Sequence, residues 1–481
     1  MLNLPASDDL FVCVNGVSRT FRQERDEAAR LAGALAARGV GKGDRVATIL
    51  PNCIEHVDLI FACASLGAIH VPTNVFLKGA FLRYQLDDAA PSIVVADDAG
   101  LDALREIGRE GIRPADLVSD ESPPHVETAS SDVLAIIYTS GTTGMPKGCM
   151  LPYGYHVQQD NSLLDYRAGD VLYSALPLFH GWARGMLFAA LNYQLPFHLD
   201  AEFSATNALQ RIRETRATVF SGVGAMGLAL LAQPERDDDA QNDLRVAFMI
   251  PFSAEAEQRF TARFGPRVQS QMYGQTETGA ITFTPLHDRG KPGTIGKPSP
   301  LYDVDVADDG EVLVREKRDD TMFKGYWPDA SRPEWHATGD LARLDDDGYF
   351  VFVDRKKDAL RRRGENVSSV QLEAAIVAHP KITEAAVVAV EAELGEDEIK
   401  ACVVANDELD PSQLFRFLSE TLPYFAIPRY VEIVEALPKT ATMRVQKHVL
   451  RAAGVTTATW DFDALGLSVA RDERRSTRRN G

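Results

Sequence analysis

Cysteine is scarce in this chain of 481 residues: Cys13, Cys53, Cys63, Cys149 and Cys402 are all it has, with no Cys-x-x-Cys pair. An odd, scattered set gives no disulfide framework, so the five read as reduced packing residues of a cytoplasmic protein. Long apolar runs are missing too. The longest, near Leu59 to Ile69 and Val219 to Ala232, fall short of the roughly 18 residues that span a bilayer, and the N-terminus lacks a basic segment leading into an apolar one. The expectation is a soluble chain that is not exported and has no membrane partner. Positive charge is in deficit: 51 Lys and Arg stand against 69 Asp and Glu, a formal charge of −18. That argues against a general nucleic-acid or anionic-membrane binder, and any anionic substrate has to be met by local cations.

The remaining composition is ordinary, 45% hydrophobic and 25% charged, and the length exceeds what one core serves, so several domains are expected. Apolar residues at helical spacing from Phe21 to Ala37 are followed by a strand at Arg45 to Leu50. Asn52 stands where it can cap a helix running to Leu66, and further alternation runs through Ala68 to Val71, Phe81 to Asp87 and Ser92 to Ala96. Alternating strands and helices predict an α/β N-terminal region with doubly wound sheets. The polar segment Asp116 to Ser131 reads as a surface linker. From Ser368 onward a helix, strands at Glu384 to Val390 and Ile399 to Val404, a helix from Pro411 to Leu422 and a strand at Tyr430 to Val434 predict a smaller α+β module. The arginines Arg471, Arg474, Arg475, Arg478 and Arg479 mark a tail.

The densest chemistry lies in Tyr138-Thr139-Ser140-Gly141-Thr142-Thr143-Gly144-Met145-Pro146-Lys147-Gly148, directly after the apolar run Val133 to Ile137. Glycines, hydroxyls and a lysine leaving a buried strand present unpaired N–H groups and donors to a polyanion, so phosphate is the expected guest. The spacing is not that of a Walker loop, because Lys147 lies three residues past Gly144 and is followed by Gly148. The loop resembles the signature of the adenylate-forming superfamily, which includes acyl-CoA synthetases, luciferases and peptide-synthetase adenylation domains. The family resemblance covers nearly the whole chain.

Further motifs extend that resemblance. Leu176-Pro177-Leu178-Phe179-His180 matches the family's Leu-Pro-x-x-His, which implies that Phe179 and His180 stand beside the substrate carboxylate. Segments Thr218 to Gly227 and Val246 to Phe252 read as strand ends able to wall an acyl pocket, with Gly222, Gly224, Met249, Met272 and Gly279 among its lining and with Gly222, Gly224 and Gly227 leaving room for a bulky hydrophobic acid. Bulky residues Phe248, Met249 and Ile250 before Pro251 make crotonobetaine/carnitine-CoA ligases the most similar subfamily. Tyr273-Gly274-Gln275-Thr276-Glu277 follows the predicted strand Arg267 to Met272, at the end of a parallel strand where open α/β sheets bind ligands. The resemblance implies Tyr273 along adenine, Thr276 on the α-phosphate and Glu277 on Mg²⁺, a hard ion suited to carboxylate and phosphate oxygens. Asp340, in Trp335-His336-Ala337-Thr338-Gly339-Asp340, would take both ribose hydroxyls, helped by Arg355.

Family likeness also implies a hinge at Lys357, dividing an adenylate- and acyl-binding domain of residues 1–356 from a mobile lid of residues 358–481. Gly364 would leave space for the pantetheine arm of CoA. The charges of Arg361, Arg362 and Arg363 suit either a solvated face or the CoA phosphates. The implied substrates are ATP or AMP as acyl adenylate, a carboxylic acid and CoA, with Mg²⁺ as cofactor. One departure stands out: after Leu437-Pro438-Lys439-Thr440 the family places Gly-Lys where this chain has Met443-Arg444. Arginine keeps the charge of the adenylating lysine but is longer and planar, and cannot place one compact donor at the same point. The expectation is an impaired adenylation half-reaction, with acyl-AMP supplied by a separate adenylating enzyme; the alternatives are a complete ATP-dependent synthetase in which Arg444 or Lys447 serves as the lysine does, and a non-catalytic adenylate-binding protein. The sequence is compatible with a homodimer and sets no oligomeric state.

Overall fold

The computed structural model describes residues 4–139, 146–157, 164–288, 290–356, 360–362, 365–391, 397–422, 426–440 and 445–468. The chain divides into two compact units, Met1–Asp305 with Leu313–Ala337 and Leu344–Val351, and Val306–Val312 with Thr338–Arg343 and Phe352–Gly481.

The first unit holds a five-stranded sheet in the order Ile93–Ala96, Arg45–Ile49, Ile69–Pro72, Val133–Thr139, Lys147–Pro152. Four strands run parallel and the last is antiparallel. Val46, Ala47, Thr48 and Ile49 are all buried because helices cover both faces, which is why these strands read as apolar runs without alternation. The helix Phe21–Ala36 opens on a capping box between Thr20 and Gln23 and turns Ala28, Leu31, Ala32 and Leu35 inward. Helix Ile54–Leu66 corrects one expectation, since Cys53 holds the cap position without a side-chain bond. Asn52 is drawn away from it: its amide donates to Leu176 O and Asp200 O and its carbonyl accepts from Leu178 N at 2.8 Å. Three tertiary bonds outweigh one cap, each worth about 1 kcal/mol. The connector after Asp116 is more than a free linker, because it packs on that first helix: a Cβ at Gly33 would lie 2.0 Å from Glu121 O.

A seven-stranded sheet in the same unit has the order Arg267–Gln269, Val246–Met249, Val219–Gly222, Leu172–Ser174, Phe197–Leu199, Leu10–Val14, Val17–Thr20. It is parallel except for the terminal hairpin. The strand expected across Arg267 to Met272 is two strands, the second being Met272–Gln275 in a separate antiparallel sheet with Gly279–Phe283 and Lys297–Pro298. Gln271 makes the break: its buried side-chain oxygen accepts from Thr284 Oγ1 and Lys291 N, both at 3.0 Å, so the chain turns to satisfy it.

In the second unit, Ile382–Glu391, Asp397–Ala405, Tyr430–Ile433 and Trp460–Asp461 form a mixed four-stranded sheet under the helices Ser369–Val377 and Pro411–Thr421. Ser368 and Asp410 cap those helices. Leu372, Ile376, Val387, Ile399, Leu414 and Leu418 form its core, an α+β module as expected. The arginine-rich tail lies outside the described residues.

Candidate active site

Strand Val133–Thr139 carries Thr139 to the edge of the phosphate-loop segment, with Thr139 paired to Lys147 on the antiparallel strand. Ser140, Gly141, Thr142, Thr143 and Gly144 lie outside the described residues. Both ends of the loop are anchored: Tyr138 OH donates to Asp88 Oδ2 at 2.5 Å and Tyr84 OH to Pro146 O at 3.1 Å. Burial raises the Tyr138 phenol far above its ordinary value, with Asp88 adding to it, so this anchor stays protonated. Gly148 is required by packing, because a Cβ there would lie 2.7 Å from Ile136 Cγ2.

Glu277 sits in the short turn between Met272–Gln275 and Gly279–Phe283 and is 8% exposed. Its Oε1 accepts from Tyr326 OH at 2.9 Å and from Thr139 Oγ1 at 3.5 Å, so the carboxylate, the loop threonine and a tyrosine share one point. The Lys147 ammonium lies 5.2 Å from the centre of the Tyr326 ring. Tyr326 thus touches two of the expected groups, although its aromatic-doublet context Gly325-Tyr326-Trp327 carries no signal that separates it from packing. The turn itself is fixed by Tyr302, whose OH donates to Thr278 O and Thr321 O, and by Gly274, where a Cβ would lie 1.9 Å from Gly279 O. Tyr273 pairs with Thr282 beside a bulge, and Gln275 Nε2 donates to Tyr273 OH at 3.4 Å. Thr276 is half-buried in the same turn.

His180 caps the helix Gly181–Tyr193, with Nδ1 accepting from Trp182 N at 3.4 Å. The indole of Trp182 donates to Ser221 Oγ, which ties this turn to the strand Val219–Gly222. Phe179 is half-buried, while Met249 and Met272 are buried. The glycines correct part of the pocket reading. At Gly224 a Cβ would lie 1.7 Å from Pro251 O and at Gly227 2.9 Å from the Phe252 ring, so protein fills the space that both leave. At Gly222 a Cβ would meet Met226 Sδ at 3.1 Å, Phe220 Cζ at 3.4 Å and Met249 Sδ at 3.5 Å, of which only the methionine ends are flexible enough to yield.

In the second unit, Asp340 is 3% exposed and its Oδ1 lies 3.6 Å from Arg355 Nε. Asp340 belongs to the continuous strand His336–Leu344 and follows Gly339 at φ +71°. Glu311 secures this stretch, accepting from Gly339 N at 2.8 Å and from Lys356 Nζ at 2.7 Å, while Lys356 N donates to Gly339 O. Lys357, Arg363, Gly364 and Arg444 lie outside the described residues. Arg361 and Arg362 belong to the strand Leu360–Arg362, paired with Glu365–Val367. Lys447, three residues past Arg444, is engaged within its own unit: Nζ lies 2.8 Å from Glu373 Oε1 and donates to Ser369 Oγ at 2.5 Å.

A family model for the AMP-binding enzyme matches residues 5–327, and one for the AMP-binding enzyme C-terminal domain matches residues 371–444. The chain belongs to the AMP-binding enzyme family. The crotonobetaine/carnitine–CoA ligase of Salmonella paratyphi B is 32% identical, with 92% of this chain and 95% of that protein covered. Among solved structures, ATP-bound MatB from Rhodopseudomonas palustris superposes with a TM-score of 0.84 at 28% identity, covering 94% and 97% of the two chains. O-succinylbenzoate coenzyme A synthetase (MenE) from Bacillus subtilis in complex with ATP and magnesium ion gives 0.82 at 26% identity, covering 91% and 96%. This AMP-binding enzyme is therefore an acyl-CoA ligase by family, and that family's chemistry passes through an acyl adenylate.

Burial pushes the Cys53 and Cys63 thiols up to about 12 and Cys149 well above its ordinary value. Among the described residues no group of three or more His, Cys, Asp or Glu is placed to hold a metal by itself. A single buried carboxylate such as Glu277 fits Mg²⁺ of the kind that takes most of its shell from phosphate and water. No described helix is long and apolar enough to cross a membrane.

Proposed function

We propose that this AMP-binding enzyme forms an acyl-CoA thioester from an acyl adenylate and CoA, and that its ATP-dependent adenylation half-reaction is weak. The carrying observation is the position of Lys447. With its ammonium held by Glu373 and Ser369, Lys447 is committed to packing the second unit, which leaves Arg444 as the cation of the motif that normally supplies the adenylating lysine. Arginine in that place, beside Met443 where a glycine is expected, loses a compact transition-state donor, a change that costs about a hundred- to a thousandfold in rate.

The remaining groups are those a bound acyl adenylate needs. Thr139, Lys147 and Thr276, with the loop residues Ser140 to Gly144, are assigned to the phosphate. Glu277 is the residue to hold Mg²⁺, which when bound neutralises phosphate charge. Tyr273, Gly274 and Gln275 flank adenine, and the Asp340 carboxylate, oriented by Arg355, takes the ribose hydroxyls. In the thioester step the CoA sulfur bonds to the acyl carbonyl carbon, the bond from that carbon to AMP breaks, and AMP leaves. Phe179, His180, Met249 and Met272 are assigned to the acyl side, which fits a hydrophobic acid, and Gly222 is the position that favours a bulky one. The hinge at Lys357 and the pantetheine passage at Gly364 complete this reading.

Synthetic acyl-AMP and CoA supplied to the protein should give thioester and AMP at a rate that Gly364→Leu abolishes while acyl-AMP affinity stays within about twofold. Turnover of acyl-AMP by Gly364→Leu at the unmodified rate contradicts the placement of the CoA passage. No thioester from the unmodified protein with any acyl-AMP would leave an adenylate-binding role in place of the ligase.

A further inference from the structure

Arg184 is fully buried in the first turn of the helix Gly181–Tyr193, and no Asp or Glu among the described residues pairs with it. Its Nη1 donates to His70 Nδ1 at 2.7 Å, while Nε and Nη2 have no acceptor. The surrounding protons follow from that bond. Because His70 Nδ1 accepts, its proton lies on Nε2 and is donated to Thr48 Oγ1 at 2.9 Å. The Thr48 hydroxyl then donates to His56 Nε2 at 3.3 Å, which leaves the His56 proton on Nδ1, donated to Pro51 O at 3.1 Å. Every member of this relay is used, and both imidazoles are neutral. Burial pushes His56 down to about 4 and, with the charge of Arg184, holds His70 well below its ordinary range.

Among the described residues the other neighbours named by ring contact or electrostatics, Cys63, His156 and Phe188, supply no negative charge either. Cys63 is a buried thiol pushed up to about 12. His156 stacks on the Phe188 ring at 4.5 Å between centroids, and the Arg184 guanidinium lies 5.8 Å from the same ring. Its Nε2 is buried without a partner, and burial, then the Arg184 charge, keeps it neutral. Arg184, drawn down to about 10 by burial, remains charged at neutral pH. Water can take its hydrogen bonds but not balance its charge, and an isolated buried ion is among the least favourable groups a core can hold.

We propose that Arg184 and His156 bind a small monovalent anion of halide size inside the first unit. Nε and Nη2 of Arg184 supply the charge-assisted donors, and His156, with its proton on Nε2, supplies a neutral one. The anion takes no part in the proposed thioester chemistry.

The test uses the full chain without acid or nucleotide, at constant ionic strength, with sodium gluconate exchanged stepwise for sodium bromide. Gluconate, a monovalent anion far bulkier than a halide, is the reference. The melting temperature should rise saturably with bromide, by about 3 °C or more at a hundredfold excess over its dissociation constant. Anomalous diffraction from bromide-grown crystals should place a peak against the Arg184 guanidinium and His156. Arg184→Met should lose the bromide dependence, and His156→Phe, which keeps the stack, should weaken bromide at least about fivefold. A melting temperature indifferent to the exchange, or a guanidinium solvated by water alone in bromide, overturns the proposal even if Arg184→Met fails to fold.

Discussion

Nucleotide recognition is proposed to rest on Asp340, which is buried with its Oδ1 3.6 Å from Arg355 Nε. Two charge-assisted hydrogen bonds to the ribose, each worth about 1.5–3 kcal/mol, mean that Asp340→Ala should weaken AMP binding by about tenfold or more in calorimetry. Equal affinities would remove the ribose assignment. A second residue-scale prediction concerns pH. Glu24 is fully buried, and burial, then the charge of Asp58, raises its carboxyl well above the ordinary range, while burial lifts Asp58 to about 6 despite Arg19 at 3.3 Å. In the unfolded chain both ionise near pH 4, so from there upward the folded state holds more protons. Stability is full below about pH 4 and is lost as pH rises, by about 1.4 kcal/mol per pH unit for each proton. Glu24→Gln should therefore match the unmodified protein at pH 4.5 and melt higher at pH 8, and a difference independent of pH would contradict the assignment. Thr139, Glu277 and Asp340 stand out in the sequence because each lies in a dense local pattern, and the structure brings Thr139 and Glu277 together. Glu24, Arg184 and Tyr326 do not stand out, since each depends on partners from distant elements: Asp58 for Glu24, His70 for Arg184, Glu277 for Tyr326.

At the scale of elements, the hairpin that carries Glu277 depends on a close backbone approach. Gly274→Ala would force a Cβ to 1.9 Å from Gly279 O, and the strands must part to admit it. Overpacking of this kind costs about 1–3 kcal/mol. A lowered melting temperature together with weakened AMP binding is expected, and a variant that melts and binds like the unmodified protein would show that the hairpin has slack. Helix and strand positions were readable where one element buries a single face, as in Phe21–Ala36, or ends at a turn residue, as at Gly67 with φ +63°. Reading failed where a side chain answers to another element: Asn52 serves Leu176, Leu178 and Asp200 in place of a cap, and Gln271 splits one expected strand into two. The pocket glycines failed for the same reason, because Pro251 and Phe252, invisible as neighbours in the sequence, occupy the space at Gly224 and Gly227.

For the whole molecule, the family's two-step chemistry is proposed to survive in its second half. The Lys447 contact with Glu373 should be structural: Lys447→Met should lower the melting temperature, since Glu373 is largely buried, while thioester formation from acyl-AMP persists. Loss of residual pyrophosphate release in that variant, with folding intact, would instead make Lys447 the adenylating group. Arg444→Lys, with Met443→Gly if the turn requires it, should raise pyrophosphate release by about tenfold or more. The most direct measurement puts both half-reactions on one preparation: ATP–pyrophosphate exchange with a panel of acids, beside thioester formation from the matching acyl adenylates and CoA. Thioester is expected from at least one acyl-AMP whose free acid supports little exchange. Robust exchange by the unmodified protein with that same acid would contradict the proposal.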